Sequence, residues 1–161
     1  MDDGEPEKND KGEPVKEGDA VIEFDSKTPE YKEFTSYYKA NIELDGKKWP
    51  TVEHYFQAMK FPTNPDIQEE IRSAKTPAQA KTLGRKGSPI RDDWETYRME
   101  VMERAVREKF SDRHPELKAK LLSTNDVLLR DGSPMDNFWG IGRKKLGMIE
   151  VANWNGLQMA Q

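Results

Sequence analysis

From Trp49 to Phe61 the apolar residues Val52, Tyr55, Phe56 and Met59 recur at i, i+3, i+4 and i+7. That spacing makes one apolar face of a helix, introduced by Pro50 and the capping residue Thr51. At about 100° per residue, Glu53, Gln57 and Lys60 fall on a stripe beside that face, not opposite it. Two readings stay open for the stripe. It is either the solvated side of an ordinary amphipathic helix, or a row of polar groups looking into a cleft.

The same pattern organises the rest of the chain. Residues 1–20 hold almost no apolar residue beyond Val15, too little to offset their ordering entropy, so a disordered acidic tail is expected. Residues 20–24 read as a short strand, and 31–38 as an aromatic-rich stretch without clear period. Ile42-Glu43-Leu44 and Lys47-Lys48-Trp49 flank Asp45-Gly46, a strong hairpin signal. Asn64-Pro65 opens a helix carrying Ile67 and Ile71. Thr76-Pro77-Ala78-Gln79 opens another, which Gly84 is expected to stop. Arg85 to Pro89 reads as a basic loop. A long helix is expected from Asp92 to Phe110, with Trp94, Tyr97, Val101 and Ala105 on one face. His114-Pro115 begins a further helix to Leu122, Val127-Leu128-Leu129 reads as a buried strand, and a last helix spans about 146–159. The sum is a mainly helical α+β single domain with a few short strands over 21–161.

Charge and composition narrow the chemistry. The tail has eight acids against three lysines, which leaves 22 acids against 23 bases in the remainder. A body so balanced does not argue for strong duplex DNA binding. No apolar run approaches a membrane span and no signal-peptide core is evident, so a cytoplasmic protein is expected. The absence of cysteine removes disulfides, thiol nucleophiles and thiolate metal sites. His54 and His114, the two histidines, lie far apart, which argues against a zinc site or a Ser-His-Asp triad. Carboxylate-bound magnesium stays open.

Chemistry must therefore rest on Asp, Glu, Lys, Arg, Tyr and Trp. Glu53 stands beside an apolar face with Lys60 on its stripe. Asp136 lies in a loop with Trp139, Gly140 and Gly142, where backbone can approach a ligand, though a loop Asp also serves as a turn or cap. Trp94 is either a core anchor or a stacking surface. Arg85, Lys86, Arg143, Lys144 and Lys145 suit phosphate contact or plain solvation.

These residues carry a resemblance. Trp49-Pro50-Thr51-x-Glu53-His54-Tyr55-Phe56-Gln57-Ala58-x-Lys60-Phe61 resembles the hallmark segment of the YbiA family, also called NADAR-domain proteins. The likeness continues through Ala80-Lys81-x-Leu83-Gly84-Arg85, Arg91-x-Asp93-Trp94, Val101-Met102-x-x-Ala105, Lys109-Phe110 and Leu117 to Leu122. It ends with Asp136-x-x-Trp139-Gly140-x-Gly142 and Leu146-Gly147, so it covers about residues 21–155. The resemblance implies an N-glycosidase acting on phosphoribosylamino-pyrimidine intermediates of riboflavin biosynthesis, a clean-up of reactive metabolites. It also allows action on ADP-ribosylated guanine, which would make ADP-ribosylated nucleic acid a partner. It implies Glu53, Trp94 and Asp136 as catalytic residues, with no metal or redox cofactor required. Tyr55, Lys60, Arg85, Trp139, Gly140, Arg143 and Lys144 would bind a nucleotide-like small molecule.

Two departures bear on substrate choice. Ser36-Tyr37-Tyr38 stands where relatives have Ser-Asn-Phe, and Arg143 to Gly147 is shorter than the usual glycine-rich loop, with Lys144-Lys145 before Leu146 and no Asn. These keep a second reading in view, a non-catalytic module that binds ADP-ribose or a related nucleotide. A third is a scaffold whose acidic tail binds a basic partner.

Overall fold

The computed structural model of the protein describes residues 21–25, 27, 29–125 and 127–132. The expected tail, the expected last helix, and Asp136, Trp139, Gly140, Arg143 and Lys144 lie outside them. In chain order the elements begin with strand β1 (Val21–Phe24), a 3-10 turn (Lys32–Phe34), and strands β2 (Ile42–Leu44) and β3 (Lys47–Trp49). Helices α1 (Val52–Ala58), α2 (Pro65–Arg72), α3 (Pro77–Lys86), α4 (Trp94–Lys109) and α5 (Pro115–Ser123) follow, then strand β4 (Leu128–Asp131). This is the mainly helical α+β architecture that the pattern predicts. Among the described residues no helix is long and apolar enough to cross a membrane. The chain divides into two compact units, Ser36–His114 and the segments up to Thr35 and from Pro115 onward.

The Ser36–His114 unit is built around α1. In the hairpin, Ile42 lies opposite Trp49 and Leu44 opposite Lys47. Asp45 and Gly46 both take positive φ, 56° and 75°, the pair of left-handed residues that a type I′ turn needs. The chain then enters α1 through Thr51, whose hydroxyl accepts the backbone N–H of His54. Asn64 caps α2 from Ile67 N–H, and Thr76 caps α3 from Gln79 N–H, each followed by proline at the first helical position. Helices α2, α3 and α4 all pack on α1. Every residue from Val52 to Ala58 is buried as a result.

One expected punctuation mark fails. Gly84 does not stop α3, which runs to Lys86 and is capped by Gly87 at φ −70°. Gly84 is needed for space: a Cβ there would stand 2.0 Å from the Gln57 side-chain oxygen. Helix α4 starts at Trp94, slightly later than expected. Asp93, at its cap position, makes no side-chain cap bond. Its carboxylate is held instead by Arg91, at 2.5 and 3.0 Å.

In the other unit β1 and β4 pair in parallel, Val21 opposite Leu128 and Phe24 opposite Asp131. Glu23 and Arg130 bridge across the pair at 2.9 Å. Phe24 meets Phe34 edge-on with ring centroids 5.8 Å apart, and Tyr31 stacks on Phe34 at 5.5 Å. Lys120 of α5 ties this cluster down through the Glu33 carboxylate at 2.6 Å and the Glu30 carbonyl.

Candidate active site

Glu53 is held from both ends. Its backbone N–H, one of the first-turn donors that no helix can satisfy internally, is accepted by the Ser36 carbonyl at 3.1 Å. The Ser36 hydroxyl donates to one carboxylate oxygen, Oε2, at 3.2 Å. One turn along α1, Gln57 Nε2 donates to the other, Oε1, at 2.8 Å. Glu53 is 6% exposed and Gln57 3%. The polar stripe is therefore not a solvated face. Burying a carboxylate costs several kcal/mol unless donors or charges offset it, and here neutral donors sit on both oxygens.

Cations gather beside it. Lys60, half-buried at the end of the same stripe, interacts electrostatically with Glu53, Arg85 and Lys81. Burial is the main reason its ammonium pKa falls below the usual lysine range. Glu53 raises it, while Arg85 and Lys81 press it down further. Lys81 and Arg85 stand one turn apart on α3. Among the described residues, none of the three forms a salt bridge. A group of three cations that outnumbers the one carboxylate beside it suits an anion such as phosphate. Lys81 is absent from the sequence-derived set, although its i, i+4 relation to Arg85 in a capped helix was the signal for it. Ser36 carried no such local signal.

His54 is a structural residue. It is 1% exposed, its Nδ1 lies 2.7 Å from the Thr51 hydroxyl, and its Nε2 lies 3.0 Å from the Ala74 carbonyl. A carbonyl only accepts, so Nε2 must carry the proton and Nδ1 accepts from Thr51. Burial lowers the ring's pKa below its usual value, with the Ala74 bond pulling the other way.

Tyr55 lies on the other side of α1 from Glu53. It is fully buried, edge-on to Trp49 at 5.3 Å; its hydroxyl donates to Asp45 at 3.0 Å and accepts from Arg104 at 3.2 Å. Two residues from Glu53 means about 200° round the helix, which turns the ring toward the hairpin. Tyr55 therefore anchors the turn and is not gathered with Glu53. Burial pushes its hydroxyl up to about 12. Trp94 is 7% exposed and tilted against Phe56 of α1 at 5.0 Å, as a core anchor would be.

Gln57 carries an anomaly. Its Oε1 is buried and has no hydrogen-bond partner among the described residues, an omission that costs about 1–3 kcal/mol. Among the described residues no group of three or more His, Asp or Glu side chains is gathered as a metal site.

A buried, donor-held carboxylate beside a group of cations is an arrangement suited to a charge-separating cleavage of an anionic substrate, and the comparisons agree in class. The NADAR domain matches residues 23–159, a run that passes through both units, and the chain belongs to that family. It is 41% identical over 125 residues to N-glycosidase YbiA of Escherichia coli, covering 77% of each chain. It is 39% identical to an N-glycosidase of Nostoc punctiforme, covering 71% of this chain and 75% of that one. The NMR structure of E. coli YbiA superposes with a TM-score of 0.74 at 38% identity, covering 88% of this chain and 82% of that chain. A maize riboflavin biosynthesis protein, PYRR, matches at 47% over 110 residues but only 18% of its own length.

Proposed function

We propose that this chain hydrolyses the N-glycosidic bond of a phosphoribosylamino-pyrimidine intermediate of riboflavin biosynthesis, or of ADP-ribosylated guanine, using Glu53 as its central carboxylate. That it is a hydrolase acting on N-glycosyl compounds follows from its family and from relatives named N-glycosidases. The substrate is the proposal. The observation that carries it is Glu53, buried and bonded through both oxygens, with Lys60, Lys81 and Arg85 beside it.

As the bond between the anomeric carbon and the base nitrogen lengthens, its electron pair leaves with the base. Positive charge develops on the ribose ring. The Glu53 carboxylate, held in place before the reaction, stabilises that cation with little reorganisation. Water then adds to the anomeric carbon and gives up a proton, and the departing base gains one. In this reading Asp136 is the second carboxylate, orienting sugar hydroxyls or handling the proton on the base. Trp94, backed by Phe56, is the wall against which the flat base lies. Lys60, Lys81 and Arg85 hold the phosphate or pyrophosphate, joined by Arg143 and Lys144.

The test incubates the purified chain with riboflavin intermediates and with an ADP-ribosylated guanine oligonucleotide, following release of the free base over many turnovers. Release from one substrate class, sharply reduced in Glu53→Gln, is expected. If neither substrate is cleaved while ADP-ribose binds tightly, the chain is instead a nucleotide-binding module.

A further inference from the structure

We propose that Gln57 is a positioning residue, a side chain whose amide holds the Glu53 carboxylate in the orientation that the reaction needs. The inference rests on the reading of Glu53 given above. Three observations combine. Gln57 Nε2 donates to Glu53 Oε1 at 2.8 Å, so the amide acts directly on the reactive group. The other end of the same amide is buried with no hydrogen-bond partner among the described residues, on a side chain only 3% exposed. The amide also lies so close to α3 that a Cβ on Gly84 would meet Gln57 Oε1 at 2.0 Å and Cδ at 2.8 Å.

A fold selecting only for stability would replace Glu53 and Gln57 together by apolar side chains of the same volume, with no polar atom to desolvate. Instead the interior tolerates an orphaned acceptor and a glycine within a helix, both unfavourable by themselves. What the pair achieves together is a fixed N–H on one carboxylate oxygen while Ser36 supplies the other donor at 3.2 Å. With one donor on each oxygen, the carboxylate plane cannot rotate freely. Its geometry toward the anomeric carbon is set before substrate arrives.

Gln57→Met removes the donor and the orphan together while keeping length and volume. The thermal midpoint should hold or fall only modestly, because the lost donor on a buried carboxylate oxygen opposes the gain from removing the orphaned acceptor, and kcat should fall by roughly 10- to 100-fold, the scale of a displaced reacting group, with KM little changed. The decisive measurement is the double variant with Glu53→Gln. If Gln57 acts through Glu53, adding Gln57→Met to Glu53→Gln should lower the residual rate no further. A loss of stability in Gln57→Met with unchanged kcat, or an independent loss in the double variant, overturns the proposal. Because each variant is compared with active wild-type protein, this failure is distinct from a wild type that cleaves no N-glycoside.

Discussion

Helices α1 and α4 both carry alternating acids and polar groups, yet they treat them in opposite ways. On α4 only Lys109, at the C-terminal end, is a buried charge, while three pairs run along the outer side of the helix, Glu95 with Arg98, Glu100 with Arg104, and Glu103 with Arg107. Each such pair faces water and is worth little. On α1 Glu53, His54 and Gln57 are all buried, and their partners lie off the helix or within a single turn. A charged residue in one of these α4 pairs stays in contact with water and supports the winding of its own helix. One on α1 is held still at some cost to stability, which is what a reacting group requires.

That contrast can be broken at several points. The largest effect is expected from Glu53→Gln, which keeps the shape of α1 and removes its charge. Turnover should drop on the order of 10³-fold while circular dichroism stays native, as steady-state assays and a spectrum will show. Next is Gly84→Ala. The added methyl overlaps Gln57 and should cost about 1–3 kcal/mol in chemical denaturation, an amount largely recovered when Gln57→Ala is added.

His54 gives the third effect, through pH. Its folded pKa lies below the ordinary 6.5 because the ring is buried. The unfolded chain therefore binds more protons, so the stabilisation is whole above pH 6.5 and is lost as pH falls through the folded value. Denaturation midpoints at neutral pH and at about pH 5 should differ in wild type and differ less in His54→Gln. The smallest effect belongs to α4. Arg107→Ala breaks the 3.0 Å contact with Glu103 yet should shift stability by less than about 1 kcal/mol. A cost there as large as at Gly84 would erase the distinction between the two helices.

Much of the fold was legible because its punctuation is local. Thr51, Asn64 and Thr76 act as caps through their own side chains, and Asp45-Gly46 turns the hairpin by itself. Gly84 misleads because glycine answers two needs, a left-handed stop or a close approach, and only the neighbouring helix says which. The parallel pairing of β1 with β4 left no local mark. For the site, the stripe of Glu53, Gln57 and Lys60 could be seen in the periodicity. Its burial could not, since that depends on α3 arriving with Gly84 and Lys81. The Ser36 bonds were equally hidden, because loop carbonyls carry no sequence signature.

The strand pair also has a consequence in time. Glu23 and Arg130, joined across it, are 107 residues apart. A ribosome adding about 5–20 residues per second makes β1 roughly 5–20 s before its partner. The Ser36–His114 segment is completed within that interval, while β1 waits as an unmatched edge that any other strand in the cell could adopt. Glu23, in the middle of so short a strand, discourages such pairing by its charge. When β4 emerges, the same carboxylate meets the Arg130 guanidinium, and the residue that guarded the edge becomes the one that closes it.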